Sequence, residues 1–541
     1  MQAPDPSREL DVLIVGAGFS GLYLLDRLRD AGLAVQAIDG ADELGGVWYW
    51  NCYPGARCDS AAAYYQFALK DVWRDWEWRE KYPGWAELRA YFRHVDRKLD
   101  LRRSIRFGTW ARGARFDAPS RRWHVQTAHA ARGTEEITTR HLVACIGHGF
   151  APYVPNIPGL ESFAGAWHHT ARWPQAGLTF RGKRVGILGT GASGVQVAQE
   201  AAREADALHV FQRTPAFCLP MRQRALDAAD NAAMRATFPH ALDARRTRFG
   251  GIDSDFVPRR AVDATPAERA QLYEALWARG GLDFWFANFE DLLRDPIANR
   301  YAYAFWKEKV RARIRDPRVA ELLAPTEPPH PFGAVRVPLE QDYYDIFNEP
   351  HVHLVDLRAD PIVRITPAGV RTERREYPLD LLVMATGFDS VTGGLTAIDI
   401  RSPQGHSLAQ KWADGVLTYK GICSVGFPNF FFTYGPQAPT AFCNGPSSAE
   451  YQGQYVADLL IHLRNEGITR IEATPDAERA WRDHCHALAA PTLFTQAHSW
   501  YMGANIPGKK REMLMYAGGL PAYLAALEES RARGYTDYAL E

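Results

Sequence analysis

Cysteine is scarce in this 541-residue chain. The seven (Cys52, Cys58, Cys145, Cys218, Cys423, Cys443, Cys485) are an odd number with no CxxC spacing. That excludes a disulfide scaffold and a dithiol redox centre. A surplus of one charge is absent too: Lys+Arg and Asp+Glu are 63 each, which removes the electrostatic case for nucleic acid or an anionic membrane as partner. No apolar run approaches the roughly 18 residues of a membrane helix. The first residues lack a basic segment leading into an apolar one. These absences predict a soluble, cytoplasmic protein. What is plentiful is aromatic: 12% of the chain, with 16 Trp, which favours large apolar pockets. The length predicts three to four domains, or two large ones carrying insertions.

Two segments resemble each other. DVLIVGAGFSG (residues 11–21) is a short apolar run entering a Gly-rich turn, after which Leu22, Leu24, Leu25 and Leu28 follow at helical spacing. RVGILGTGASG (residues 184–194) repeats the pattern. A lone GxGxxG is weak, but two with correct strand–turn–helix flanks are strong. The first Gly of each (Gly16, Gly189) permits the tight turn and the second (Gly18, Gly191) lets backbone approach a pyrophosphate. The third (Gly21, Gly194) lets helix pack on strand. Phe19, Ser20, Thr190 and Ser193 complete the cradles, and the helix N-terminus offers free N–H groups to phosphate.

Asp39 lies 18 residues after Gly21, where a carboxylate accepts from ribose hydroxyls and repels a 2′-phosphate. Arg213, followed by Thr214, lies 19 residues after Gly194, where a guanidinium suits the 2′-phosphate of NADP. A solvated strand-end charge is the plainer alternative for Arg213. Acid first and base second predicts FAD in the first unit and NADPH in the second.

The fold class expected is α/β, with two Rossmann-like dinucleotide-binding domains and a helical insertion. Residues 1–155 and 381–541 form the FAD-binding domain, 156–225 and 331–380 the NADP-binding domain, and 226–330 the insertion. In the insertion, Thr265-Pro266-Ala267-Glu268 reads as a capped helix start, and Trp306, Val310 and Ile314 as a core-facing stripe. Residues 353–356 and 379–385 read as strands returning to the sheets, and 426–434 as a buried strand.

Three motifs resemble those of the type I Baeyer–Villiger monooxygenases, nearest the phenylacetone and cyclohexanone monooxygenase group. FAGAWHHTARWP (residues 163–174) matches the family fingerprint FxGxxxHxxxWP without a mismatch. GGVWYWNCYPGARCD (residues 45–59) matches a second signature, and ATGFD (residues 385–389) a third. The resemblance extends through SWYMGANIPG (residues 499–508).

The resemblance implies an enzyme dependent on FAD and NADPH that inserts one atom of O₂ beside a ketone carbonyl, through a flavin peroxide at C4a, giving an ester or lactone. It implies that Arg336 is the catalytic cation and Asp59 the carboxylate that orients it through a bidentate contact. Without the family, an ordinary interdomain salt bridge is the plainer reading of that pair. Gly46, Val47, Trp48, Tyr65 and Trp500 join the cofactor-binding set. The related alternative is a flavin monooxygenase acting on sulfides or amines. Substrates expected are O₂ and a small-molecule ketone whose size and shape the sequence leaves open, with no metal and a monomer favoured.

Two departures stand out. The family usually carries Lys before its catalytic Arg; here the position is Val335, so discrimination against NADH should weaken. Cys52 replaces a frequent Arg, with no derivable consequence. His169 is expected to brace the connection between the nucleotide domains. Phe442 and Cys443 are candidates for the substrate pocket, though core packing suits either. His484 and His486, two apart on a helix, point apart, and His351 and His353 read as a half-exposed strand face rather than a metal site.

Overall fold

A computed structural model describes residues 9–541. The first Gly-rich segment sits between β1 (Leu10–Val15) and the helix Phe19–Asp30, whose Leu22, Leu24, Leu25 and Leu28 are buried. β1 pairs in parallel with β2 (Val35–Ile38), and β2 with β3 (Ile105–Arg106). β4 (Thr109–Asp117), β5 (Arg122–His129) and β6 (Gly133–Ala144) form an antiparallel meander. The end of β6 then runs parallel beside β1.

Burial along β6 follows this change of role. Its first residues are exposed and Glu136 to Thr139 alternate between exposed and buried, whereas His141 through Ala144 are buried throughout, as a strand covered on both faces must be. Two later strands complete this sheet: Phe430–Phe432 pairs with the end of β6 and Asp399–Arg401 with β4. The expected strand over 426–434 is therefore only three residues long, inside a buried loop.

The second sheet is wholly parallel. Its order is Val352–Asp356, β9 (Ala207–Gln212), β8 (Arg184–Leu188), Leu381–Met384 and β7 (Ala166–His169). The boundary expected at residue 380 thus moves: Leu381–Met384 lies at the heart of the second sheet, between β8 and β7. Its four apolar residues, all buried, could occupy no edge.

Residues 226–330 are helical. Thr265 and Glu268 form a reciprocal capping box on the helix Pro266–Arg279. Trp306 and Val310 are fully buried on the helix Pro296–Arg311, while Ile314 lies just beyond its end. The helix Ala228–Thr247, however, docks on the first unit. Arg245, 1% exposed, donates to the carbonyls of Tyr64 (2.9 Å) and Gln66 (2.8 Å) and to the carboxylate of Glu450 (3.2 Å). The insertion therefore bridges both units rather than belonging to the second alone. Among the described residues no helix is long and apolar enough to cross a membrane.

Candidate active site

A cavity of about 1430 Å³ runs between the two Gly-rich turns. That exceeds the ~300–1,000 Å³ of an ordinary small-molecule site. Both turns are built alike. Gly16 and Gly189 adopt φ of +113° and +107°, which side chains avoid. The N-caps Gly18 and Gly191 supply no side-chain cap, so the first N–H groups of both helices stay available. Uncapped helix starts opening on a large cavity are what a pyrophosphate requires, and the residues present fit two dinucleotides.

Gly21 and Gly194 do not line the cavity. A Cβ on Gly21 would lie 1.9 Å from the Gly16 carbonyl oxygen, and on Gly194 2.1 Å from that of Gly189. Their place is in the packing that lets helix approach turn. The other expected cofactor residues all line the cavity: Gly16, Gly18, Phe19, Ser20, Asp39, Gly46, Val47, Trp48, Tyr65, Gly189, Thr190, Gly191, Ser193, Arg213, Thr214 and Trp500.

Asp39 follows β2 directly and is buried. Its carboxylate accepts from the backbone N–H of Ala17 (2.6 Å) and Ala41 (2.8 Å). Burial pushes its carboxyl above the ordinary range, against those two hydrogen bonds. Arg213 is exposed at the end of β9 and makes no ion pair among the described residues. The Thr190 hydroxyl donates to the Thr214 carbonyl (2.7 Å), tying the second turn to that strand end.

Arg336 and Asp59, 277 residues apart in sequence, meet at the cavity wall. The contact is not the expected fork. Arg336 Nε (3.1 Å) and Nη2 both donate to one oxygen, Asp59 Oδ2, while Nη1 donates to the Ala441 carbonyl (2.8 Å). The guanidinium carbon also lies 5.7 Å from the Trp285 ring centroid. Burial opposes the charge on Arg336, and Asp59 more than compensates, so the guanidinium holds its proton more tightly than an exposed arginine. Val335 lines the cavity beside it and offers no charge.

Several residues near the pair carry no sequence motif. His148 stacks on Trp500 (centroids 5.5 Å, planes 19° apart) and meets the Tyr434 ring edge-on at 5.1 Å. Burial, then the nearby Arg336, pushes the His148 ring down to about 4, so it is neutral at physiological pH. The segment around Trp500 is tied to 385–389: Asn505 donates to the Phe388 carbonyl (2.8 Å) and Lys509 pairs with Asp389 (2.5 Å). Arg172, in the fingerprint, lines the cavity between the Trp50 and Phe150 rings, 4.8 and 4.6 Å from their centroids. Trp500, Asp389 and Arg172 lie in segments the sequence singles out, but their contacts across long sequence gaps leave no local pattern, and His148 lies in no motif.

Of the pocket candidates, Cys443 lines the cavity, whereas Phe442 is buried against Phe494 and Tyr501. Cys52 is buried beside the Trp173 carbonyl, 3.7 Å away. His169 is buried off the cavity, its Nδ1 accepting from Ala171 N–H (3.0 Å). His351 bonds the Ala202 carbonyl, and His353 stacks on His209 at 5.0 Å. His484 and His486 approach different partners, Tyr516 and Glu512.

Two Gly-rich cradles sharing one cavity, with a paired arginine on its wall, fit an enzyme of two dinucleotides, and the relatives of the chain are flavoprotein monooxygenases. The family model described as "Flavin-binding monooxygenase-like" matches residues 9–229. Cyclopentanone 1,2-monooxygenase of Comamonas sp. (strain NCIMB 9872) is 48% identical, over 98% of this chain and 96% of that protein. Among solved structures, oxidized steroid monooxygenase bound to NADP is 40% identical with a TM-score of 0.92, covering 99% of each chain. OTEMO complexed with FAD and NADP has a TM-score of 0.94 at 36% identity, covering 98% of this chain and 99% of that one. The chain belongs to the type I Baeyer–Villiger monooxygenase family.

Proposed function

We propose that the chain oxidises a ketone to an ester or lactone: ketone, O₂, NADPH and a proton give ester, NADP⁺ and water. The observation that carries this is the Arg336–Asp59 pair on the wall of a cavity flanked by both dinucleotide cradles. FAD, when bound, supplies the passage of electrons from NADPH to oxygen. In this reading it is held by the first Gly-rich turn, Asp39, Gly46, Trp48 and Tyr65. NADPH would be held by Gly189, Thr190, Gly191, Ser193, Arg213 and Thr214, with Trp500 lining the same cavity.

Arg336 stabilises negative charge as it develops on the substrate's carbonyl oxygen. A guanidinium suits this because it is permanently charged and does not surrender its proton to a neighbouring anion. Asp59 fixes which way the fork points, and the Ala441 carbonyl takes the remaining donor. Neutral His148, with Trp500 and Tyr434, offers an aromatic wall that excludes water without adding a second cation. The substrate class is a ketone, and Tyr434 and Cys443 line the cavity that receives it.

The test is turnover of a ketone panel (cyclic, aryl-aliphatic, polycyclic) with NADPH and ¹⁸O₂, with products identified by mass spectrometry. One ¹⁸O atom in an ester or lactone is the expected result. Oxygenation of a thioether in the same assay, with no ester from any ketone, would overturn the proposal.

A further inference from the structure

The helix Ala192–Glu204 does more than present its N-terminus to the cavity. Two of its glutamines, Gln196 and Gln199, are three residues apart and so neighbours on the helix surface; they are 9% and 4% exposed. Gln196 accepts at Oε1 from the Tyr53 hydroxyl (2.8 Å) and donates through Nε2 to the Arg57 carbonyl (3.0 Å). The Tyr53 hydroxyl also bonds Ser193 Oγ at 3.2 Å, in the first turn of the helix. Gly55 lies so close that an added Cβ would be 2.7 Å from the Gln196 carbonyl oxygen. Residues 53–57 are therefore fastened to this helix, and Asp59 follows two residues later.

Gln199 does the same for the other arm. Its Oε1 accepts from the backbone N–H of Gln341 (2.8 Å) and Asp342 (3.0 Å), while its Nε2 donates to the Val195 carbonyl (2.9 Å). Arg203, one turn further on, donates to the Asp342 carboxylate (2.8 Å). Gln341 closes the short strand Leu339–Glu340 that follows Arg336. The segments bearing Asp59 and Arg336 thus hang from one helix, whose first turn lines the cavity at the second Gly-rich turn.

We propose that Gln196 and Gln199 are positioning residues through which a dinucleotide seated on the second Gly-rich turn sets the geometry of the Arg336–Asp59 pair. The task given to that pair rests on the function proposed above. A helix shifts as a unit, so phosphate drawn to its N-terminus moves both arms together. A misplacement of about 1 Å at reacting groups costs on the order of a hundredfold in rate. The coupling is reciprocal, so disturbing the pair must alter dinucleotide affinity through the same glutamines.

The experiment uses FAD-loaded enzyme with Gln196→Leu, Gln199→Leu and Gln199→Glu, the last keeping the accepting oxygen. The first readout needs no turnover: NADP⁺ is titrated into oxidised enzyme and followed by the flavin absorbance, with Asp59 or Asp59→Asn. Asp59→Asn is expected to change the NADP⁺ Kd by about fivefold or more in the parent, and by less than about twofold when Gln196 is replaced. The second readout is ester formed per NADPH oxidised. It falls at least about threefold in both leucine variants, hydrogen peroxide accounting for the remaining NADPH and O₂, and Gln199→Glu restores it. If Gln196→Leu does not fold, Gln196→Glu replaces it, retaining the acceptor for Tyr53 and losing the donor to Arg57. An equal effect of Asp59→Asn in both backgrounds, or unchanged ester yield per NADPH in the leucine variants, overturns the inference. A parent enzyme that forms no ester from any ketone refutes the proposed function instead, and the NADP⁺ titrations still decide this one.

Discussion

Arg336 spends three N–H donors on two acceptors, one oxygen of Asp59 and the Ala441 carbonyl, and still borders the cavity. Arg336→Ala is therefore expected to keep FAD bound while ester formation drops by about a hundred- to a thousandfold, the usual loss on removing an oxyanion donor. Flavin absorbance per protein and product yield check it; an unchanged yield removes Arg336 from the chemistry. Its neighbour tests the nucleotide. Val335→Lys places an ammonium near the cavity that Arg213 already borders, so NADPH should tighten relative to NADH by about tenfold or more. The ratio of the two KM values measures that. Both residues were legible in sequence through the family resemblance, since isolated arginines carry no pattern of their own. His148 was not, and neither was the place of Arg172 within its fingerprint: their surroundings are rings brought together only by the fold.

At the scale of single elements, the glycine turns were readable because their requirement is local. A tight turn, a close approach and a helix start lie within eleven residues, and the apolar runs before them announce the strands. Local sequence is silent about which sheet a returning strand joins. Leu381–Met384 reads as a buried parallel strand wherever it is placed, and only pairing with β8 and β7 assigns it. The third glycine of each turn separates the two cradles experimentally. Gly194→Ala forces a methyl toward the Gly189 carbonyl, where a Cβ would stand 2.1 Å away. NADPH should then reduce the flavin poorly while FAD content stays near one per chain. Gly21→Ala, with a Cβ 1.9 Å from the Gly16 carbonyl, should instead yield flavin-depleted protein. Absorbance at the flavin maximum and anaerobic NADPH titration distinguish the outcomes. Should both variants lose the same nucleotide, the two-cradle assignment fails.

Across the whole molecule, two buried imidazoles take stability away in mild acid. His141 and His169 are each 4% exposed. Burial pushes His141 down to about 3 and His169 to about 4. Each folded-state value lies below the unfolded one, so below about pH 6.5 the unfolded chain binds more protons and folding stability declines. The limiting slope is about 1.4 kcal/mol per pH unit for each ring, continuing down to the folded values. Glu450, which burial pushes up to about 7, acts the other way, so the check is a difference: from pH 7 to 4.5 the melting temperature of His141→Phe should move upward relative to that of the parent. The apolar content and even charge balance set only the broad class of such a molecule. The bridging role of the helix Ala228–Thr247 escaped the sequence because Arg245 on a helix reads as a solvated charge until Glu450 is seen beside it.

The placement of Phe430–Phe432 against the end of β6 has a consequence for the chain in time. A layer begun by residue 10 lacks a member until residue 432 has left the ribosome, while the five strands of the other sheet are complete once residue 384 emerges. The order of synthesis is therefore not the order of assembly. The half that starts first must wait, partly uncovered, for the half that starts second, and closure across so long a separation is slow. The nascent protein is thus most open to chaperones and to misassembly along the bare flank of β6.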